Sequence, residues 1–125
     1  METLPFVDAH EVEIAAAPEV VFAALEAQVA RTPLLGSARA FPRRESAPPA
    51  TLELAGAHRF ARYALRFELL RTSGGTRVRA ITHAEFFPGA GRVYRALVIG
   101  SGAHAQIVKR FLRRLGSRVS ARRPA

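Results

Sequence analysis

The strongest constraint on this chain lies in its middle, where two runs of strict apolar–polar alternation flank a Ser73-Gly74-Gly75 turn. Before the turn, Ala61, Tyr63, Leu65, Phe67 and Leu69 share one face, while Arg62, Arg66 and Glu68 share the other. After it, Val78, Ala80, Thr82, Ala84 and Phe86 alternate with Arg77, Arg79, His83 and Glu85. Side chains on a strand point to opposite faces with period two, so the pattern predicts an antiparallel hairpin, dry on one face and wet on the other. The strands are expected from near His58 to the turn and from Thr76 to Phe86. Ile81 breaks the outward pattern of the second strand; a contiguous apolar patch would be needed to argue a dimer surface, so a homodimer stays an open alternative.

A sheet with one apolar face needs a cover, and the sequence offers two. At the C-terminal side, Phe87-Pro88-Gly89-Ala90-Gly91 leads into a long amphipathic pattern expected to be one helix from Arg92 to Leu115. At about 100° per residue, Val93, Leu97, Gly100, His104, Ile107, Val108, Phe111 and Leu115 form its apolar stripe. Beyond Gly116 no apolar period remains, which predicts a single domain over 1–116 and a basic, flexible tail over 117–125. At the N-terminal side, Val7–Ile14 reads as a strand with His10, Val12 and Ile14 inward and Glu11 and Glu13 outward. Pro18 and Glu19 then suit a helix N-terminus, with Val20, Val21, Ala24, Leu25 and Gln28 at helical spacing and an end near Arg31, before Thr32-Pro33. Leu52 and Leu54 alternate around Glu53, ahead of an Ala-Gly-Ala turn, and Ala38–Phe41 is a candidate edge strand.

Composition narrows the chemistry. With 125 residues there is room for one domain, and with no cysteine there is neither a disulfide nor a thiolate nucleophile nor a cysteine zinc site. The formal net charge is +9, yet the first thirty residues hold six acids and no Lys or Arg, and no acid follows Phe86. The N-terminus has no basic and apolar leader pattern, and no apolar run approaches the ~20 residues of a membrane span, so a cytoplasmic protein without a transmembrane segment is expected.

Strand, helix, antiparallel meander and long C-terminal helix together form an α+β order that resembles the START-like, or SRPBCC, superfamily. The residues that carry the resemblance are Val12-Glu13-Ile14-Ala15-Ala16-Ala17-Pro18-Glu19-Val20-Val21-Phe22 through Leu25 at the start. At the end they are Ala84-Glu85-Phe86, Gly91-Arg92-Val93-Tyr94-Arg95-Ala96-Leu97-Val98-Ile99 and Gly102-Ala103-His104. The chain is similar to a short bacterial member of that group. The resemblance implies the helix-grip fold, a curved antiparallel sheet wrapped around the last helix, with an apolar pocket between them. It also implies a small hydrophobic ligand, a lipid, polyketide or similar molecule, and in some members cyclisation or dehydration of polyketides. It implies no shared catalytic set.

The pocket residues expected from the inward faces are Tyr63, Leu65, Phe67, Val78, Thr82, Leu97, Gly100 and His104. His104 lies at the centre of the apolar stripe, where a titratable ring needs a hydrogen-bond partner or a ligand. It reads either as a ligand contact or as a core histidine bonded to Tyr63, Thr82 or a carbonyl. For acid–base work the inward candidates are His104, His10, Asp8 and Tyr63, since Glu53 and Glu85 fall on wet faces. His10, His58, His83 and His104 lack metal-ligand spacing, and no cofactor is expected. A non-catalytic binding protein is the favoured reading. One alternative is a polyketide cyclase-like enzyme using His104 or Tyr63. The other is a binder of anionic polymers or membrane surfaces through Lys109, Arg110, Arg113 and Arg114. Base-stacking aromatics are not interleaved with these cations, which argues against nucleic acid.

Overall fold

In the computed structural model the chain runs β1 (Phe6–Ile14), α1 (Pro18–Arg31), β2 (Arg43–Ala47), β3 (Thr51–Ala57), β4 (Ala61–Thr72), β5 (Gly75–Phe86), α2 (Ala90–Val98) and α3 (Ala103–Arg122). The described residues are 4–32, 35–36, 41, 43–57, 61–98 and 102–122, without the side chains at 90, 94, 97, 98, 121 and 122. Gly100, residues 38–40 of the candidate edge strand, His58 and the side chain of Leu97 therefore lie outside them.

The expected hairpin is the spine of the sheet. In β4 and β5, Leu69 pairs with Val78, Phe67 with Ala80, Leu65 with Thr82 and Tyr63 with Ala84, so both inward sets share one face. β1 joins beyond β5 and β3 beyond β4, giving a five-stranded antiparallel order β1-β5-β4-β3-β2. Ser73 and Gly74 close the hairpin, and Gly75 then takes φ +145. A Cβ at that position would collide with the Ile14 carbonyl oxygen and the Ala15–Ala16 backbone. Buried Thr76 fastens the same joint by donating from Oγ1 to the Ala16 carbonyl at 2.7 Å.

Helices cover the concave face. Val21, Phe22, Leu25 and Val29 of α1 and Val108, Phe111, Leu112, Leu115 and Val119 of α3 pack with Leu52, Leu54, Leu65, Phe67, Leu69 and Val78 in one core. Each fully buried side chain of this size is worth roughly 1.5–3 kcal/mol of transfer free energy. α1 and α3 are also tied by buried Gln28, whose Nε2 donates to the Phe111 carbonyl at 2.8 Å. α1 ends where Thr32 turns extended; its N–H donates to the Gln28 and Val29 carbonyls at 3.0 and 3.2 Å. This is an α+β helix-grip fold.

Several expectations change. The single C-terminal helix is two, α2 and α3, separated before Gly102, whose φ of +80 suits glycine. Val93, before the break, is 61% exposed; within α3 the buried stripe is Val108, Phe111, Leu112, Leu115 and Val119, which gives Leu112 a core place and leaves Ile107 outside it, 67% exposed. α3 also continues past Gly116 through the expected tail to Arg122, because Val119, four residues beyond Leu115, is 1% exposed in the core. The outer edge strand is Arg43–Ala47, whose residues are all exposed and so show no alternation in hydrophobicity. Ala55-Gly56-Ala57 extends β3 opposite Ala64, Tyr63 and Arg62 instead of turning. In α1, Val20 is exposed while Phe22 and Val29 are buried, a rotation of the apolar stripe by about one residue.

The convex face is wet and charge-matched. Arg62 meets Glu85 at 2.9 Å, Arg66 meets Glu68 at 3.2 Å and Glu53 at 3.6 Å, and Arg77 meets Glu13 at 2.7 Å. Its hydrogen bond to Glu13, followed by the charges of Glu13 and Glu11, holds the Arg77 guanidinium above its ordinary range. The acids of the N-terminal segment thus serve sheet arginines, and Glu19 of α1 likewise meets Arg71 at 3.5 Å.

Candidate functional site

On the concave face the side chains form rows across the strands. One row runs His10, Ala80, Phe67 and Leu52; the next runs Asp8, Thr82, Leu65 and Leu54. Both rows are apolar over β3 and β4 and become polar at the β1 edge. Asp8 keeps the regular pairing of the strand, opposite Thr82 as His10 is opposite Ala80, and the register shifts only beyond it, toward Phe6. Its position two residues before His10 puts both side chains on one face of the strand.

α3 adds the fourth group. His104 stands in its first turn, just past Gly102, and its Nε2 lies 2.9 Å from Thr82 Oγ1 and 3.4 Å from Asp8 Oδ1. The other carboxylate oxygen, Oδ2, lies 3.3 Å from His10 Nε2. One carboxylate therefore sits between two imidazoles, and a threonine hydroxyl contacts one of them. The side chains are 24% exposed for Asp8, 17% for His10 and 22% for His104, while Thr82 is buried. Asp8 Oδ1 is itself shielded and accepts no hydrogen bond, despite its closeness to His104. Such an arrangement can hold a proton at a defined place, orient one ring nitrogen, and present a polar head group's partner beside an apolar wall. Among the described residues, no cluster of His, Asp and Glu is arranged to hold a metal ion.

The residues expected in the pocket are divided between two environments. Leu65, Phe67 and Val78 belong to the packed core, with the Phe67 ring tilted at 33° against Phe111, centroids 5.4 Å apart. Thr82 and His104 come together at the polar end. Tyr63 is half-buried one row further on, opposite Gly56 and Ala84, with its ring edge-on to Phe41 at 5.1 Å. Leu97 and Gly100 cannot be placed with them, the first for its side chain and the second altogether. Of the partners open to His104 as a core residue, Thr82 is the one it contacts. The role of Asp8 as a bridge between His10 and His104 escaped sequence reading. Its only signal was the inward Asp-Ala-His spacing, which says nothing of a helix arriving from the far end of the chain.

Outside this cluster, α3 presents Lys109, Arg110, Arg113 and Arg114 to solvent. Lys109 and Arg113 face an open groove between α3 and β1, together with Gln106, His10, Glu11 and Val12. No helix among the described residues is long and apolar enough to cross a membrane.

No family model and no curated protein matches the sequence. Solved structures do match. Protein MLL2253 from Mesorhizobium loti superposes with a TM-score of 0.60 at 18% identity, over 94% of this chain and 98% of that one. TTHA0849 from Thermus thermophilus gives a TM-score of 0.56 at 21% identity, again over 94% and 98%. The likeness is one of fold. It spans nearly the whole of each chain. At these identities it does not carry over the polar cluster, which must be judged on its own geometry.

Proposed function

We propose that this chain is a START-like, SRPBCC-type protein that binds a small hydrophobic molecule, without chemistry, between the sheet and its C-terminal helices. The observation that supports this reading is the polar island of Asp8, His10, Thr82 and His104 on an otherwise apolar concave face. A fold that needed only a core would fill these positions with apolar side chains, because burying polar groups costs stability unless they are well paired. Asp8 Oδ1 remains without a hydrogen bond, which suits a site completed by a ligand donor. In this reading the ligand's apolar body lies toward Tyr63 and Ala84, and its polar group meets His104 and Thr82.

A second reading is favoured by one distance, the 3.4 Å between His104 and Asp8. The contact holds the His104 ring between a carboxylate and a hydroxyl, a placement that suits an acid–base group acting on a carbonyl of a polyketide-like substrate. Native mass spectrometry of gently purified protein, repeated on His104→Ala, separates the readings. Binding without chemistry predicts a retained lipid- or polyketide-sized adduct whose occupancy falls about tenfold in the variant, the worth of one hydrogen bond to a charged or strongly polar group. A variant that retains the adduct but loses turnover of that compound indicates the enzyme. A variant with an unchanged adduct and only a lower unfolding temperature makes His104 a structural histidine and removes it from the proposed site, and wild-type protein that carries no adduct counts against binding.

A further inference from the structure

Among the described residues, the largest group of unpaired cations lies on one helix, α3. Five sheet cations are matched by carboxylates, Arg44 by Glu26, Arg62 by Glu85, Arg66 by Glu53 and Glu68, Arg71 by Glu19 and Arg77 by Glu13, while Arg31, Arg43 and Arg79 stand singly on α1, β2 and β5 without an ion pair among the described residues. On α3, by contrast, Lys109, Arg110, Arg113, Arg114 and Arg118 form no ion pair among the described residues. Neutralisation within the helix is ruled out, since no acid follows Phe86. Arg110, Arg114 and Arg118 follow one another at four-residue spacing, where like charges weaken a helix. Ile107, 67% exposed, opens the same stripe three residues before Arg110.

From this stripe we infer that the solvent-facing side of α3 is a docking surface for an anionic lipid bilayer. Charge complementarity identifies the partner as anionic, and Ile107 selects a bilayer over a nucleic acid. An aliphatic side chain among arginines gains free energy by entering the headgroup and acyl boundary, and gains nothing from a phosphodiester backbone. Arginine stems add apolar surface of their own while their guanidinium groups stay at phosphate level. Val93 of α2, 61% exposed and next to Arg92, has the same character. Lys109 and Arg113, at the margin of the surface, share a groove with His10 of the polar cluster.

Co-sedimentation of the full chain with phosphatidylcholine vesicles, with and without phosphatidylglycerol, tests the inference. Binding is expected only with the anionic lipid, and it should fall steeply when salt is raised from ~0.1 to ~1 M, where the Debye length shrinks from ~10 to ~3 Å. Arg110→Gln with Arg114→Gln should weaken it about 25-fold, roughly fivefold for each cation near the surface. Ile107→Ser should weaken it roughly tenfold, and Arg71→Gln, on a matched pair, should leave it unchanged. All four positions are exposed, so an unchanged unfolding temperature confirms that each variant is folded. The inference is overturned if neutral vesicles bind equally well, if Arg71→Gln costs as much as the α3 pair, or if Ile107→Ser has no effect. It is also overturned if duplex DNA is held more tightly than the anionic vesicles.

Discussion

The two ends of the concave face are built from the same alternation and serve different purposes. At one end Phe67, Leu69 and Val78 meet Phe111, Leu115 and Val119, and the space between sheet and helix is filled by side chains. At the other, Thr82 in the same strand as Val78 meets His104 and Asp8, and the face turns polar and half-open. The change occurs within four residues of β5, from Val78 to Thr82. The closed end gains stability from close packing, whereas the polar end accepts partly exposed titratable groups that packing alone does not need. That division locates function more sharply than inwardness alone does.

Substitutions at the two ends should therefore differ in size and in kind. Phe67→Ala at the closed end removes a ring buried against Phe111 and should lower unfolding free energy by about 3–5 kcal/mol in urea titration. A loss under about 1 kcal/mol would mean the closed end is not packed as described. Gln28→Ala leaves the Phe111 carbonyl without its side-chain donor and should cost about 1–3 kcal/mol by the same measurement. Gly102→Ala forces a side chain onto φ +80 at the start of α3, with nothing nearby to clash, so its cost is conformational, about 1 kcal/mol. Because Gly102 sets the direction from which His104 enters, this variant should also shift the His104 imidazole resonances in NMR. Thr82→Val should have the smallest effect on stability, about 0.5 kcal/mol. It should nevertheless reduce retained adduct, and equal occupancy in wild type and Thr82→Val would erase the distinction between the two ends.

Much of the fold was legible because the sheet is wet on one side. Alternation over Ala61–Leu69 and Val78–Phe86 identified the hairpin and its inward faces, and Pro18 and Thr32-Pro33 marked the ends of α1. β2 was not legible, since Arg43–Ala47 is an exposed edge whose residues bury nothing and so carry no period. The break between α2 and α3 was hidden for a different reason: apolar residues at helical spacing occur on both sides of it, and periodicity alone cannot detect a change of phase. Val93 was misplaced as a result, whereas Ile107 lies within α3 at the margin of a stripe that Leu112 and Val119 draw to the other side. For the site, inwardness pointed to Thr82, His104, His10 and Asp8 separately. Their convergence depends on the pairing of β1 with β5 and on where α3 begins, two tertiary facts with no local signature.

The hairpin tip has a practical consequence. A tight turn on the surface ordinarily invites a tag or a loop graft, yet two adjacent glycines here differ completely in what they permit. Gly74 faces open space, whereas Gly75 lies against the Ile14 carbonyl and is followed by Thr76, bonded to Ala16. Chain added after Gly74 would pry the tip away from the β1–α1 connection and loosen the first strand together with the graft. A single side chain placed at Gly74 would label the same tip without disturbing it.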